Sequence, residues 1–197
     1  MTSPVFLKLE GKPACLMVPN NDHTGLFLKL QNEEESRQYL ARYWPIGRKS
    51  ETEWIDKANT STADGVFTVA LYPNLIPVGA MGLHRIDWKN RRATTGTVLL
   101  EKHCGKGVGT CAKMLLLNWA FNELGLNKVE SRVIAFNGRS MAYSTKCGYR
   151  EVGRLKRHFF RRGAWHDEII LEVHASDWQP LWKKFQAGKS KWSLRRS

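Results

Sequence analysis

Apolar and polar residues alternate along much of the chain with a period of two, and elsewhere apolar residues recur every three to four positions. The first period is typical of half-buried strands and the second of amphipathic helices. Strands are predicted over 5–9, 14–18, 66–71, 77–86, 93–100, 128–135, 149–160 and 164–174. Helices are predicted over 22–44 with a second start at 33–35, over 51–58 with a cap at Ser50, over 110–124 and over 137–146. This mixture predicts one α/β domain with a mixed sheet.

Composition and charge favour a globular protein with acidic partners. Hydrophobic residues make up 42% of the 197 residues and charged residues 25%, which is ordinary for a folded domain. Lysine and arginine outnumber the acidic residues and give a formal net charge of +13. Such an excess favours phosphate-rich cofactors, nucleic acid, anionic membranes or acidic proteins as partners.

Secretion and membrane insertion are not expected. The first residues lack a charged start followed by an apolar run, and no apolar stretch approaches the length of a membrane span. The four cysteines have neither a CxxC pair nor zinc-like spacing with histidine, so we expect free thiols, no metal and a cytoplasmic location. We expect a single domain over 1–185 and a basic, frayed tail over 186–197, with basic residues from Lys183 onward.

The segment that carries most information lies between a predicted strand and the most apolar predicted helix. Residues 104–110 read Cys-Gly-Lys-Gly-Val-Gly-Thr. Glycines let the backbone approach a ligand closely, and the first amides of a helix favour an anion. Together with the charge of Lys106, this pattern predicts a phosphate or pyrophosphate site, although a tight turn that binds nothing would use similar residues.

Two phosphate-binding patterns fit this loop less well. A P-loop requires Gly-Lys followed by serine or threonine, but Gly107 follows Lys106. The dinucleotide pattern matches at Gly107, Gly109 and Ala112, with Glu130 about 20 residues on. However, several residues separate the strand from the first glycine, and the chain after this helix ends in a predicted antiparallel hairpin.

Residues from about 76 to 174 resemble the GCN5-related N-acetyltransferase (GNAT) superfamily, and in particular its RimJ/RimL-like ribosomal-protein N-acetyltransferase branch. The loop at 105–110 resembles the family's coenzyme A pyrophosphate loop, and Asn-Arg-Arg-Ala at 90–93 resembles the hairpin before its central strand. Asn-Gly-Arg-Ser at 137–140, followed by Gly-Tyr at 148–149, resembles the family's N-x-x-A/S helix. Gly-Ala-Trp-His-Asp at 163–167 resembles the branch's last hairpin.

The resemblance implies a fold, a cofactor and a site. The implied fold is a mixed, mostly antiparallel sheet with a splayed central parallel strand pair, flanked by helices, and with acetyl-CoA between the splayed strands. Backbone groups of Leu99 and Leu100 and the side chain of Asn137 would hold the pantetheine arm. The pyrophosphate would lie on the backbone amides of Gly105, Lys106, Gly107, Val108, Gly109 and Thr110. The implied function is an acetyl-CoA-dependent N-acetyltransferase.

Three positions depart from residues that are usual in the family. Cys104 stands where the loop usually begins with glutamine or arginine, Thr94 where many relatives have a glutamate base, and Ser144 where many have a tyrosine acid. Tyr143 is expected to point elsewhere, because neighbours on a helix are about 100° apart. By resemblance to the branch, Ser140 is the predicted acid for the leaving thiolate, although the same hydroxyl is equally suited to capping or packing.

Three further side chains near the predicted site can be interpreted in more than one way. His84 is a candidate base on the strand before the hairpin, although a lone histidine is more often structural. Asp167 is expected to fix the last hairpin by a hydrogen bond. Cys104 lies near a helix start and Lys106, which predicts a lowered thiol pKa.

The acceptor is expected to be an amine that is easily deprotonated. With ordinary pKa values, about 14% of an α-amine but only about 0.04% of a lysine amine is neutral at pH 7. Because only the neutral amine attacks a thioester, a site without an obvious strong base favours a protein N-terminal α-amine. The alternatives are an amino sugar, amino acid or antibiotic as acceptor, or a non-catalytic coenzyme A- or RNA-binding module. The basic residues of 150–162 favour docking to a ribosome, RNA or an acidic protein, and a monomer and a homodimer are both compatible with the sequence.

Overall fold

The predicted strands join into one eight-stranded sheet in the computed structural model, which describes residues 3–188. The strands are β1 Val5–Leu7, β2 Ala14–Met17, β3 Gly65–Leu71, β4 Ile76–Asp87, β5 Arg92–Leu99, β6 Lys128–Ile134, β7 Arg150–Arg161 and β8 Ala164–His174. The helices are α1 Thr24–Asn32, α2 Glu34–Arg37, α3 Arg48–Ala58, α4 Val108–Asn118, α5 Gly138–Lys146 and α6 Ala175–Gln186. The α/β class predicted from the hydrophobic pattern is confirmed.

The sheet contains one parallel strand pair, and that pair separates. Neighbours follow the order β1-β2-β3-β4-β5-β6-β8-β7, and every pair is antiparallel except β5 with β6. β5 and β6 pair only as far as Thr95 opposite Ser131, whereas β5 continues to Leu99 and β6 to Ile134. The predicted splay is confirmed. It leaves backbone groups on both strands without a strand partner, and such groups need a ligand or water.

Helices cover both faces of the sheet. On one face, Phe27 and Leu30 of α1 and Ile55 of α3 pack against Ala80 and Val98. On the other face, α4 is buried in the main core along almost its whole length, as its apolar surface predicts. No helix within residues 3–188 combines the length and the apolar character needed to cross a membrane.

The alternation of side chains along β5 assigns its residues to these two faces. Val98 lies on the face of α1 and α3, so Gly96 and Thr94 lie there too. Thr95 and Thr97 therefore face α4. This division places two different sets of side chains on the two sides of the splayed strand.

Two predicted helix ends differ from the structure. Helix α3 starts at Arg48 after an extended Gly47, so Ser50 lies inside the helix and is not its cap. Helix α4 ends at Asn118 and continues as one π-helical turn, Trp119–Glu123. The predicted terminator is confirmed, because Gly125 has a φ of 66°.

Helix α6 was not predicted, and part of it was expected to belong to a frayed tail. Its side chains Trp178, Trp182 and Phe185 are buried and stack on one another. Their spacing of four and three residues is typical of a helix. Pro180 lies between them, and because proline is unusual inside a helix, the sequence did not suggest one. Residues 183–186 are therefore helical and residues 187–188 form a turn. The remaining part of the predicted tail, 189–197, lies outside the described residues.

The last hairpin has the geometry that its sequence predicts. Arg162 and Gly163 have φ values of 49° and 77°, which is the left-handed pair of a two-residue hairpin turn. The carboxylate of Asp167 accepts hydrogen bonds from the Arg157 amide and the Lys156 ammonium, each at 3.0 Å. The predicted role of Asp167 in fixing the hairpin is confirmed.

Candidate active site

The separation of β5 and β6 opens a cleft of about 1280 Å³. Its walls are the splayed ends of the two strands, the glycine loop, α5 and the segment from Lys29 to Leu40. Sites for drug-sized ligands occupy roughly 300–1,000 Å³, so this cleft suits a longer ligand.

The glycine loop has the geometry of an anion-binding site and lies at one end of the cleft. Gly107 is the N-cap of α4 and has φ 78° and ψ −10°, a left-handed conformation that other residues rarely adopt. No side chain caps this helix, and its first backbone hydrogen bond runs from the Cys111 amide to the Gly107 carbonyl. The amides of Val108, Gly109 and Thr110 therefore remain available at the positive end of the helix dipole.

Backbone groups of β5 form the second part of the site. The Leu100 amide donates to the Val78 carbonyl at 2.9 Å, and the Leu100 carbonyl accepts from the His103 amide at 2.9 Å. Of the predicted pair, only Leu99 therefore has its amide on the splayed edge, because amides alternate in direction along a strand. The Thr97 amide points the same way.

Helix α5 supplies the polar side chains of the opposite wall. The Asn137 side-chain oxygen accepts from the Ser140 amide at 3.1 Å, which caps the helix and leaves the Asn137 amide nitrogen free to donate. Ser140 and Tyr143 both line the cleft. Ser144 is fully buried. The expectation that Tyr143 points away from the cleft was wrong, because the helix is rotated so that Ser144 faces the core.

His84 lies on the α1 face of the sheet, above two glycines. Gly82 and Gly96 are register partners, and a Cβ at either position would be 3.2 Å from His84 Nε2. Nδ1 of His84 is 3.3 Å from Asp64 Oδ1. Burial lowers the His84 pKa below its ordinary value, with Asp64 opposing that shift, so the ring is neutral at pH 7.

The strand opposite His84 carries no competing base. Thr94, the register partner of His84, accepts a hydrogen bond from the Arg85 guanidinium at 3.3 Å. A threonine hydroxyl does not accept a proton at neutral pH. His84 is therefore the titratable group nearest to Gly96, which lines the cleft.

Cys104 differs from its sequence prediction. Burial is the largest influence on the Cys104 thiol and raises its pKa, with Arg139 opposing that shift. The expected lowered pKa was wrong, because the side chain is partly buried and points back at the Leu100 carbonyl. Beside it, Arg139 forms an ion pair with Glu101 at 2.7 Å, across the rim of the cleft.

Charges of both signs line the cleft. Lys102 and Lys106 lie at the glycine loop and Lys146 at the end of α5, and the acidic Glu101 at this end is paired with Arg139. The loop end therefore keeps an excess of positive charge that suits phosphates. Glu33 and Glu35 line the wall that follows α1, where Lys29 pairs with Glu33 at 3.4 Å, so Glu35 is the carboxylate of this pair that remains for a cationic group.

Several basic side chains of the last hairpin are occupied by contacts within the protein. Four of its basic residues are ion-paired: Arg150 with Glu172, Arg154 and Lys156 with Asp167, and Arg162 with Glu34. Arg161 donates to the Leu40 carbonyl and stacks on Tyr43. These pairs neutralise much of the charge that would attract nucleic acid.

Sequence reasoning placed Tyr143 away from this site and did not consider two other residues near it, Asp64 and Lys113. Asp64 is 20 positions from His84 in the chain, and only the pairing of β3 with β4 brings them together. Lys113 lies on α4 with no exposed surface. A lysine within the otherwise apolar 111–117 run is the signal that could have identified it.

Known relatives share sequence with the chain over part of their length. The protein named "Putative ribosomal N-acetyltransferase YdaF" from Bacillus subtilis is 31% identical over 101 residues, which cover 51% of this chain and 55% of that protein. The prophage-derived uncharacterized N-acetyltransferase YokL of the same organism is 25% identical over 148 residues, covering 75% of this chain and 82% of that protein. The match to the first relative thus spans about half of its length.

Solved structures share the fold. A spermidine N-acetyltransferase from Vibrio cholerae in complex with CoA and spermine superposes with a TM-score of 0.79 at 21% identity, covering 85% of this chain and 98% of that chain. A GCN5-related N-acetyltransferase from Brucella melitensis gives 0.74 at 23% identity, covering 97% and 88%. Residues 15–150, well over half of the chain, match the family model described as "Acetyltransferase (GNAT) domain". The chain therefore belongs to the GNAT acetyltransferase family.

Proposed function

We propose that the protein is an N-acetyltransferase that uses acetyl-CoA and a primary amine. The observation that carries this proposal is the uncapped, left-handed start of α4 at Gly107, which opens into the cleft between β5 and β6. A family resemblance alone does not establish an activity. Here the phosphate site, the free strand edge and two candidate acids, Ser140 and Tyr143, line one cleft, and His84 lies behind the strand next to Gly96.

The residues of the cleft suit the pyrophosphate and the pantetheine arm of coenzyme A. The amides from Gly105 to Thr110, with Lys106 at the rim, would hold the pyrophosphate. The Leu99 backbone and the Asn137 side chain would bind the amides of the pantetheine arm. Bound there, acetyl-CoA supplies an activated acetyl group as a thioester.

His84 is the proposed base. The Asp64 carboxylate, 3.3 Å from Nδ1, favours the tautomer with its hydrogen on Nδ1 and so leaves Nε2, which lies next to Gly96, as the acceptor. Gly96 and Thr97 are adjacent, and the Thr97 amide on the splayed edge would hold the carbonyl oxygen. Nε2 takes the proton that the amine loses, directly or through one water, as the new C–N bond replaces the C–S bond.

A hydroxyl of α5 is the proposed acid for the departing sulfur. Ser140, predicted from the sequence, lies beside Asn137, whereas Tyr143 lies one turn further along, next to Thr97. Burial raises the pKa of Tyr143 above its ordinary value, so the hydroxyl is protonated at neutral pH. It donates its proton to the sulfur and regains one from solvent.

Tyr143→Phe and Ser140→Ala distinguish the two candidate acids. A thiolate with an ordinary pKa near 8.5 is already a good leaving group, so we expect the loss of the acid to lower kcat only about tenfold. Tyr143 lies next to Thr97, whose amide we assign to the carbonyl oxygen of the thioester. We therefore expect the tenfold loss of kcat in Tyr143→Phe, and a kcat within twofold of wild type in Ser140→Ala. A tenfold loss in Ser140→Ala alone would assign the role to Ser140.

We propose a protein N-terminal α-amine as the acceptor. At pH 7 the neutral fraction of an α-amine exceeds that of a lysine amine about 350-fold, which is worth about 3.5 kcal/mol. Glu35 at the wall after α1 would attract the cationic form of the amine to the cleft, whereas Glu33 already pairs with Lys29. A small polyamine would be attracted by the same acidic wall, and it is the second candidate.

Acetylation rates on three acceptors test this choice. We expect kcat/KM for a peptide with a free N-terminus to exceed that for an N-blocked lysine peptide by at least tenfold, and to exceed that for spermidine. A preference for spermidine that is lost in Glu33→Gln and Glu35→Gln would instead assign a polyamine acceptor. Coenzyme A binding with no turnover on any amine, together with salt-sensitive RNA binding, would support the non-catalytic alternative.

A further inference from the structure

Lys113 is a buried lysine for which the packing of α4 offers no hydrogen bond. Its side chain has no exposed surface, and Nζ has no hydrogen-bond partner among residues 3–188. The neighbouring residues on α4, from Cys111 to Leu117, are all buried and otherwise apolar. A methionine or leucine would fill this position without desolvating a charge, so the lysine costs stability that a purely structural role does not explain.

The Lys113 ammonium lies between two tyrosine rings. Nζ is 5.6 Å from the ring centroids of both Tyr143 and Tyr149, within the range of a cation–π interaction. The Tyr149 hydroxyl is 3.1 Å from Thr95 Oγ1, so this ring is fixed to the strand. Tyr143 is the one that lines the cleft.

Other buried polar atoms lie around Lys113 and Tyr143. The hydroxyl groups of Thr97 and Ser144 are buried and lie beside the Tyr143 side chain. Thr97 also lines the cleft. Lys113 is thus part of a polar layer directly beneath the part of the cleft where we place the carbonyl oxygen and the leaving sulfur.

We propose that Lys113 is a positioning residue that strengthens Tyr143 as the acid of the transfer reaction. This inference rests on the proposed function of the cleft. A positive charge beside the ring stabilises the phenolate that forms when Tyr143 gives its proton to the sulfur. The low dielectric of the core strengthens this effect.

The titratable groups that face Lys113 leave it charged at neutral pH. They are Tyr143 of α5, Cys147 at the C-cap of that helix, Tyr149 at the start of the last hairpin and, from the opposite face of the sheet, His84 of β4. Burial lowers the pKa of Lys113 to about 8, and the pKa of Cys147 is raised to about 12. None of these groups supplies a negative charge at pH 7, so the charge of Lys113 remains unneutralised.

Lys113→Met tests the proposal, alone and combined with Tyr143→Phe. We expect kcat to fall about fivefold in Lys113→Met at pH 7, with acetyl-CoA affinity within twofold of wild type. In the Tyr143→Phe background, the same change should alter kcat by less than twofold, because the group through which Lys113 acts is gone. Equal kcat in wild type and Lys113→Met, or equal losses in both backgrounds, would overturn the proposal. A wild type without any transfer would instead refute the proposed function.

The melting temperature provides a readout that does not depend on activity. Lys113 has a lower pKa in the folded than in the unfolded chain, so the unfolded chain binds more protons between about pH 8 and 10.5, and wild-type stability rises over that range. We therefore expect Lys113→Met to melt above wild type at pH 7 and the difference to shrink towards pH 10. Leu116→Met, a volume-conserving change at another buried position of α4, is the control and should alter neither kcat nor this pH dependence. A lower melting temperature in Lys113→Met at pH 7 would contradict an unpaired buried charge.

Discussion

Gly107→Trp is expected to abolish acetyl-CoA binding while leaving the fold intact. Gly107 lines the cleft and directly precedes the α4 amides, so an indole at this position would compete with the pyrophosphate that we propose there. Hydrogen bonds to a charged group contribute about 1.5–3 kcal/mol each, so losing two of them weakens binding by more than about 100-fold. Titration calorimetry with acetyl-CoA measures this loss directly.

A second glycine controls for backbone strain. Gly11 also has a positive φ, 73°, and nothing lies within 4 Å of a Cβ built there. It lies in the turn between β1 and β2, outside the cleft. Gly11→Trp should therefore share the strain of Gly107→Trp, about 1–3 kcal/mol, and bind acetyl-CoA as wild type does. Wild-type affinity in a folded Gly107→Trp variant would refute the phosphate site.

Local signals made the cofactor end of the site predictable. The left-handed turn at a strand-to-helix junction is determined by a few consecutive residues. The role of Gly107 and its neighbours could therefore be predicted from the sequence. The strands could be predicted equally well, because alternation of apolar and polar residues with a period of two shows which face of a strand is buried. The hairpin turn at Arg162 and Gly163 follows from the same kind of short-range requirement.

The catalytic end depends on information that is not local. Whether Tyr143 or Ser144 faces the cleft is decided by the rotation of α5 against the sheet, and one residue along a helix changes direction by about 100°. The contact between His84 and Asp64 requires the pairing of β3 with β4. The site of Lys113 is decided by which side of α4 meets the tyrosines.

These nonlocal contacts give the site two chemically different sides. Gly96 has no side chain, so His84 on the α1 face lies close to the strand that separates it from the cleft. Thr97 and Tyr143 lie on the α4 side of the same strand. A base and an acid on opposite sides of one strand do not exchange protons with each other, and this suits a reaction that removes a proton from the amine and supplies one to the sulfur.

His84→Gln is expected to lower kcat/KM about 100-fold at pH 7, because the glutamine amide fills the space of the ring but cannot take a proton. The acceptor amine titrates as well, so the informative quantity is the ratio of wild-type to variant rates on the same acceptor, from which that titration cancels. Burial lowers the His84 pKa, so the ratio should rise as pH passes through a pKa below 6.5 and then stay constant.

Two further variants establish what His84 does. Asp64→Asn keeps the ring but removes the charge that orients Nδ1, so we expect a smaller loss, about tenfold, and a lower pKa in the rate profile. His158→Gln, at an exposed histidine of β7, should behave as wild type. If the ratio for His84→Gln were independent of pH, the histidine would only fill space over Gly82 and Gly96, and the amine would lose its proton to solvent.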